Sequence, residues 1–239
     1  MRILEGEGVT KHFGGLAAVS NVNFDVDQGE IVGLIGPNGA GKTTLFNLIS
    51  AALVPKPGVI RFKGEKITGL KPHQICRLGV ARTFQEVKIF ANMPVLENVR
   101  LGSFFGASPG TSSAGADREA TGLLEFLELS AMSATPAKDL TLANQKRLEV
   151  ARALATKPEL LLLDELMAGL NPTEVAQAME LVIRIRDKGI TIVMIEHVMK
   201  AIMSVCDRII VLHHGEKIAE GTPQEIATSK TVIEVYLGE

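Results

Sequence analysis

The sequence predicts an α/β fold built on a mostly parallel, wound sheet. Three observations lead there. Ile31 to Ser50 reads as an apolar strand, a glycine-rich turn and a helix. Leu160–Leu163 and Ile190–Ile195 are short, continuous apolar runs, as central parallel strands covered on both faces require. Helical segments follow each of them, and strands alternating with helices give a wound sheet. With 239 residues, 46% hydrophobic and 22% charged, the chain can form one large domain or a domain with a subdomain.

Taken in order, residues 1–30 alternate as strands do, with turns at Gly14-Gly15 and Gln28-Gly29. Leu16 to Val26 has an apolar side (Val22, Phe24, Val26) and a polar one (Asn23, Asp25, Asp27). Val59 to Phe62 follows Pro57-Gly58 as a further short strand, and these early strands predict a small antiparallel sheet. Thr68 to Gly79 carries helix start and stop signals, Pro72 and Gly79. Val80 to Gln85 reads as a strand ending in glutamine, and Leu96 to Leu101 as a helix. Gly102 to Asp117 is rich in Gly, Ser and Ala and is expected to be a mobile loop. Arg118 to Leu129 resumes a helical period, so residues 86–140 read as a helical insertion between two parts of the core.

Leu142 to Thr156 is a helix stopped before Pro158, and Pro172 to Lys188 one ended by Gly189. Val198 to Val205 is a shorter helix. Arg208–Leu212 and Lys217–Ala219 form a hairpin across His213-His214-Gly215-Glu216, with both histidines expected as exposed turn residues. One or two short helices follow Pro223.

Composition excludes some functions. A net charge of −2 gives no overall basic field for nucleic acid. Cys76 and Cys206 lack metal-ligand spacing and read as core thiols. The N-terminus has no apolar core of signal-peptide length, and no run reaches the roughly 20 residues that span a bilayer. A soluble, cytosolic chain is expected, able to work at a membrane by docking.

The chemistry begins at Gly36-Pro37-Asn38-Gly39-Ala40-Gly41-Lys42-Thr43, which fits the phosphate-binding pattern G-x-x-x-x-G-K-[ST] and continues into Thr44. Glycines let backbone N–H groups turn inward and, with the positive end of the next helix, form a nest for an anion. Lys42 can reach the β- and γ-phosphates and the Thr43 hydroxyl can hold Mg²⁺. Asp164 and Glu165 close the Leu160–Leu163 strand, beside the phosphate loop if the two strands are neighbours. There Asp164 suits the metal and Glu165 suits a general base on the attacking water. His197, after Ile190–Ile195 and Glu196, could touch the γ-phosphate, and Gln85 could orient water or sense the metal.

The order is phosphate loop, strand and Gln85, a Leu-Thr-Leu-Ala-Asn-Gln segment opening a helix, an apolar run with Asp164-Glu165, then a strand with Glu196-His197. It closely resembles the ATPase subunit of ABC transporters over essentially the whole chain. KHFGGLAAVSNVNFDVDQGEIVGLIGPNGAGKTTLFNLIS, ARTFQ and VIEVYLGE resemble the ATPases of branched-chain amino acid importers, of the LivG type.

That resemblance implies a P-loop NTPase fold in a single domain, residues 1–239. Its nucleotide-binding core, 1–85 and 141–239, would contain the antiparallel β part, with 86–140 as an α-helical subdomain. It implies ATP and Mg²⁺ as cofactors, with Thr43, Gln85 and Asp164 at the metal and Phe13 stacked on adenine. A second ATPase subunit, either another copy or a LivF-like paralogue, would sandwich two ATPs, each under the other subunit's Thr141–Ala143 segment. Gln85 would link the nucleotide to membrane permease subunits, Asn171 would lie where the dimer is crossed, and His197 would be the switch histidine. A periplasmic or extracellular solute-binding protein would take part indirectly. The chain would sit peripherally on the cytoplasmic face of the membrane, with no nucleic acid involved.

The segment Leu140-Thr141-Leu142-Ala143-Asn144 departs from the family's Leu-Ser-x-Gly-Gln. Thr141 keeps a hydroxyl, whereas Ala143 replaces a glycine and is tolerable only at negative φ. Leu166 replaces a usual proline and is expected to loosen a turn, and Asn171 replaces a common Asp. Three alternatives stay open: a cassette with little turnover, an importer of amides, urea or other small solutes, and a non-transport ATPase of ribosomes or DNA. A single phosphate loop without a heptad insertion speaks against the last.

Overall fold

Side-chain alternation along each core strand divides its residues between two apolar layers. In the computed structural model, which describes residues 1–106 and 112–237, β3 (Ile31–Ile35) sends Ile31 and Ile35 to one layer and Val32 and Leu34 to the other. β7 (Leu160–Asp164) and β8 (Thr191–Ile195) split the same way, Leu161, Leu163, Ile192 and Met194 against Leu160, Leu162, Val193 and Ile195. That two-sided burial is why these stretches read as unbroken apolar runs.

With β6 (Val80–Arg82), β9 (Arg208–His213) and β10 (Glu216–Gly221) they form a six-stranded sheet in the order β10-β9-β3-β8-β7-β6. All pairings are parallel except β10 on β9. β1 (Arg2–Phe13), β2 (Leu16–Asp27), β4 (Val59–Phe62) and β5 (Glu65–Lys66) make the antiparallel sheet β2-β1-β4-β5. One apolar layer lies between the two sheets around α1 (Lys42–Ile49), whose Phe46 is fully buried. The other layer is covered by α5 (Leu142–Ala155), α6 (Pro172–Arg186) and α7 (Met199–Val205).

Several expectations change. β3 and β7 are not neighbours, because β8 runs between them. The phosphate loop and Asp164-Glu165 therefore stand two strand spacings apart, roughly 10 Å. The strand predicted to reach Gln85 stops at Arg82. One more bond, Thr83 N–H to the Leu162 carbonyl at 2.9 Å, follows it. The chain then leaves the sheet, and the Phe84 N–H, followed four residues on by that of Lys88, donates to the Glu149 carboxylate of α5, at 3.2 Å each.

In the predicted loop over Gly102–Asp117, residues 102–105 and 113–117 are helix. α2 (Pro72–Leu78) is followed by α3 (Val95–Phe105), which runs through Gly102, and by α4 (Ser113–Phe126), capped by the Ser112 hydroxyl. Residues 107–111 lie outside the described residues. The small residues serve packing: a Cβ on Gly102 would fall 2.6 Å from the Arg152 carbonyl oxygen, and Ala116 and Ala120 are fully buried. Helices α8 (Pro223–Thr228) and α9 (Lys230–Leu237) close the described chain, and no described helix is long and apolar enough to cross a membrane.

Candidate nucleotide-binding site

The loop between β3 and α1 is built by glycines at left-handed φ. Gly36 has φ 149° and Gly41 φ 102°, and a Cβ on either would fall within 2.3 Å of a backbone oxygen, of Leu212 or Ala18 respectively. Only glycine permits both the dihedral and the approach. Lys42 opens α1 and folds back, its Nζ donating to the carbonyls of Gly36 at 2.7 Å and Pro37 at 2.9 Å. Burial lowers its pKa, against the raising influence of Glu165 and Asp164.

A cleft of about 430 Å³ opens over this loop. It brings together Phe13, Asn38, Gly39, Ala40, Gly41, Lys42, Thr43, Thr44, Gln85, Glu165 and His197 from distant parts of the sequence. Phe13, at the end of β1, is half exposed and stands outside the core. Leu16, Ala17, Ala18 and His214 also line the cleft. His214 is thus not merely an exposed turn residue: its turn is pinned beside the loop, with the Gly215 N–H on the Ala40 carbonyl and the Gly215 carbonyl on the Ser20 N–H.

Glu165 holds the centre. Its Oε2 accepts from the Gln85 side-chain amide at 3.0 Å, and its Oε1 lies 2.9 Å from His197 Nε2. Its φ is +52°, a conformation that costs a residue with a Cβ roughly 1–2 kcal/mol. The turn is tied by Glu165 N–H to the Ile195 carbonyl, Ala168 N–H to the Glu165 carbonyl and Met167 N–H to the Glu196 carboxylate. The Leu166 side chain at this turn is buried in the core.

Asp164 lies behind the cleft, 2% exposed. Its Oδ2 takes a 2.8 Å ion pair from Arg82, which also bonds Asn47 of α1 and Ser50 at that helix's C-terminal cap. Its Oδ1 is buried without a protein partner. An orphaned carboxylate oxygen, with the Thr43 hydroxyl and Gln85 carbonyl as further oxygens, fits a hard cation such as Mg²⁺. Among the described residues no three His, Cys, Asp or Glu are arranged to hold a metal ion by themselves, and an ion that keeps most of its waters needs no such set.

Thr141 and Ala143 are not in this cleft. Thr141 caps α5, accepting from the Asn144 N–H, and Ala143 follows in its first turn at helical backbone angles, the negative φ that an alanine tolerates. Asn171 caps α6, and its side chain accepts from Thr173 and Glu174 N–H. The sequence reading missed Arg82, Lys146, Glu149 and Glu196, all drawn into the interior around the cleft. Their available signal was spacing: Lys146 and Glu149 fall on the same helical stripe as the apolar Val150 and Ala153.

Residues 19–168 match the ABC transporter family, and residues 216–239 match the branched-chain amino acid ATP-binding cassette transporter family. The chain belongs to the ABC transporter family. It is one of that family's nucleotide-binding ATPase cassettes. It is 43% identical over 251 residues to the high-affinity branched-chain amino acid transport ATP-binding protein LivG of Escherichia coli, covering 99% of this chain and 98% of the relative. It is 41% identical over 250 residues to BraF of Pseudomonas aeruginosa, a protein described in the same words, with the same coverage.

Among solved structures, the ADP conformation of an ABC transporter cassette superposes with a TM-score of 0.90 at 32% identity, covering all of both chains. A dimeric cassette in a post-hydrolysis state bound to ADP and Pi superposes at 0.83 with 26% identity, covering 92% of this chain and 99% of that one.

Proposed function

We propose that this chain binds ATP with Mg²⁺ and hydrolyses it to power a membrane importer of branched-chain or related amino acids. The observation that carries the reading is the Glu165 carboxylate held between Gln85 and His197 in the same cleft as the phosphate loop. The loop N–H groups and Lys42 bind the phosphates, and the ring of Phe13 receives the adenine. Thr43, Asp164 and Gln85 would hold Mg²⁺, which when bound neutralises charge on the phosphates. Glu165 takes the proton from the attacking water, and His197 and Gln85 keep its carboxylate aimed.

The cargo assignment rests on the relatives' names. We assign residues 86–140 as the helical part that meets the permease, within a single cassette domain. Thr141 and Ala143, outside the cleft, are offered to the nucleotide of a second cassette, a copy or a paralogue. In this reading the chain sits peripherally on the cytoplasmic face of a membrane.

The test is the Mg²⁺-dependent ATPase rate against protein concentration, with Glu165→Gln as control. A rate rising faster than linearly, and lost in the control while ATP still binds, supports the reading. Equal rates in both chains remove Glu165 as base. Binding without turnover in the parent favours a cassette that needs a paralogue to complete its sites.

A further inference from the structure

Helix α5 carries a lysine into the interior. Lys146 is 5% exposed, and its Nζ donates to the backbone carbonyl of Glu165 at 2.7 Å. At the same turn Glu196, 3% exposed, accepts from the Met167 N–H at 2.8 Å. The Glu165 N–H is fixed by the Ile195 carbonyl at 2.9 Å. These bonds grip the peptide units around a residue whose φ of +52° is unfavourable for any side chain with a Cβ. Such a conformation persists only where its surroundings over-determine it. Burying an ammonium group is costly, and an apolar side chain of similar volume could fill the space. What an apolar side chain cannot do is donate to the carbonyl.

We infer that Lys146 is a positioning residue for Glu165, with Glu196 as its partner at the same turn. The two hold the backbone in the left-handed conformation that directs the carboxylate between Gln85 and His197. Lys146 touches neither nucleotide nor metal in this role. The inference rests on Glu165 being the base, and it adds a determinant of turnover on the helix that begins at Thr141.

The experiment uses the full chain, with steady-state ATPase kinetics and equilibrium binding of a fluorescent ATP analogue. Lys146→Met lowers kcat on the order of 10- to 100-fold, as a displaced catalytic group does, while the nucleotide Kd stays within about threefold. Lys146→Arg, which can still donate to the carbonyl, recovers most of the lost kcat. Parent kcat in Lys146→Met overturns the inference. So does a loss of affinity that matches the loss of kcat, or an equal loss in Lys146→Arg, because each indicates general damage. Glu165→Gln is run in parallel: if it turns over at the parent rate, the base assignment fails instead. Should Lys146→Met not fold by circular dichroism, the same split is read in Glu196→Met, which removes the acceptor for the Met167 N–H, and parent kcat there overturns the inference.

Discussion

The carboxylate of Glu165 and the imidazole of His197 meet at 2.9 Å, Oε1 to Nε2, at the mouth of a cleft lined by a phosphate loop. Glu165 is largely shielded, with a side chain 13% exposed, whereas His197 is 47% exposed. The histidine is therefore the movable member of the pair. His197→Ala should lower kcat by about 100-fold, at the low end of acid–base effects, with nucleotide affinity close to the parent's. Steady-state kinetics beside equilibrium binding checks this, and a fall in affinity alone would assign His197 to binding.

Lys42 Nζ donates to the carbonyls of Gly36 and Pro37 at the loop. Lys42→Ala removes a charge-assisted donor worth about 3 kcal/mol, which is a factor of about 100 in ATP affinity. Equilibrium dialysis measures it. Affinity equal to the parent's would contradict the role of the loop.

Arg82 and Asp164 form a pair with side chains 7% and 2% exposed. Arg82→Met leaves the Asp164 carboxylate buried and unpaired, a cost of about 3–5 kcal/mol. In a chain of this length that lowers Tm by on the order of 10 °C. Because a divalent cation can supply the missing positive charge, Mg²⁺ with ATP should raise Tm further in the variant than in the parent. Calorimetry with and without Mg²⁺ and ATP reads both effects.

Burial pushes the Glu196 carboxyl from 4.5 up to about 7, opposed by the Met167 N–H and the Lys146 charge, while Glu165 adds to the rise and the His197 N–H opposes it. Between these values the folded chain holds a proton that the unfolded chain has released. Stability therefore falls as pH rises through that window and levels off above about 7, a contribution on the order of 3 kcal/mol. Glu196→Gln should remove this slope. The difference in unfolding free energy between parent and variant, measured from about pH 5 to 8, is the observable, and a constant difference would contradict it.

Much of this was legible in the sequence. Gly36 to Thr43 announces itself because the chemistry fixes glycines and a lysine at set spacing. Leu160–Leu163 and Ile190–Ile195 announce buried strands because both faces are covered. Strand order was not legible: nothing in β3 or β7 says that β8 runs between them. Gly102 was misread because a glycine that lets two helices touch has the same letter as one that turns a loop. Lys146, Glu149 and Arg82 escaped because charged residues in helices and at strand ends usually face water. Their partners, a carbonyl, two N–H groups and a carboxylate, come from remote segments.

Helix α5 has a consequence of its own. It is capped by Thr141, grips the Glu165 carbonyl through Lys146, and holds the N–H groups of Phe84 and Lys88 through Glu149. Arg152 adds a bond to the Lys88 carbonyl. Fourteen residues of helix make a rod of roughly 21 Å. Through these bonds the segment before it, the turn at Glu165 and the stretch after β6 all rest on one helix. Whatever tilts the rod at Thr141 must shift the other two together, so they keep time with one another rather than each answering alone.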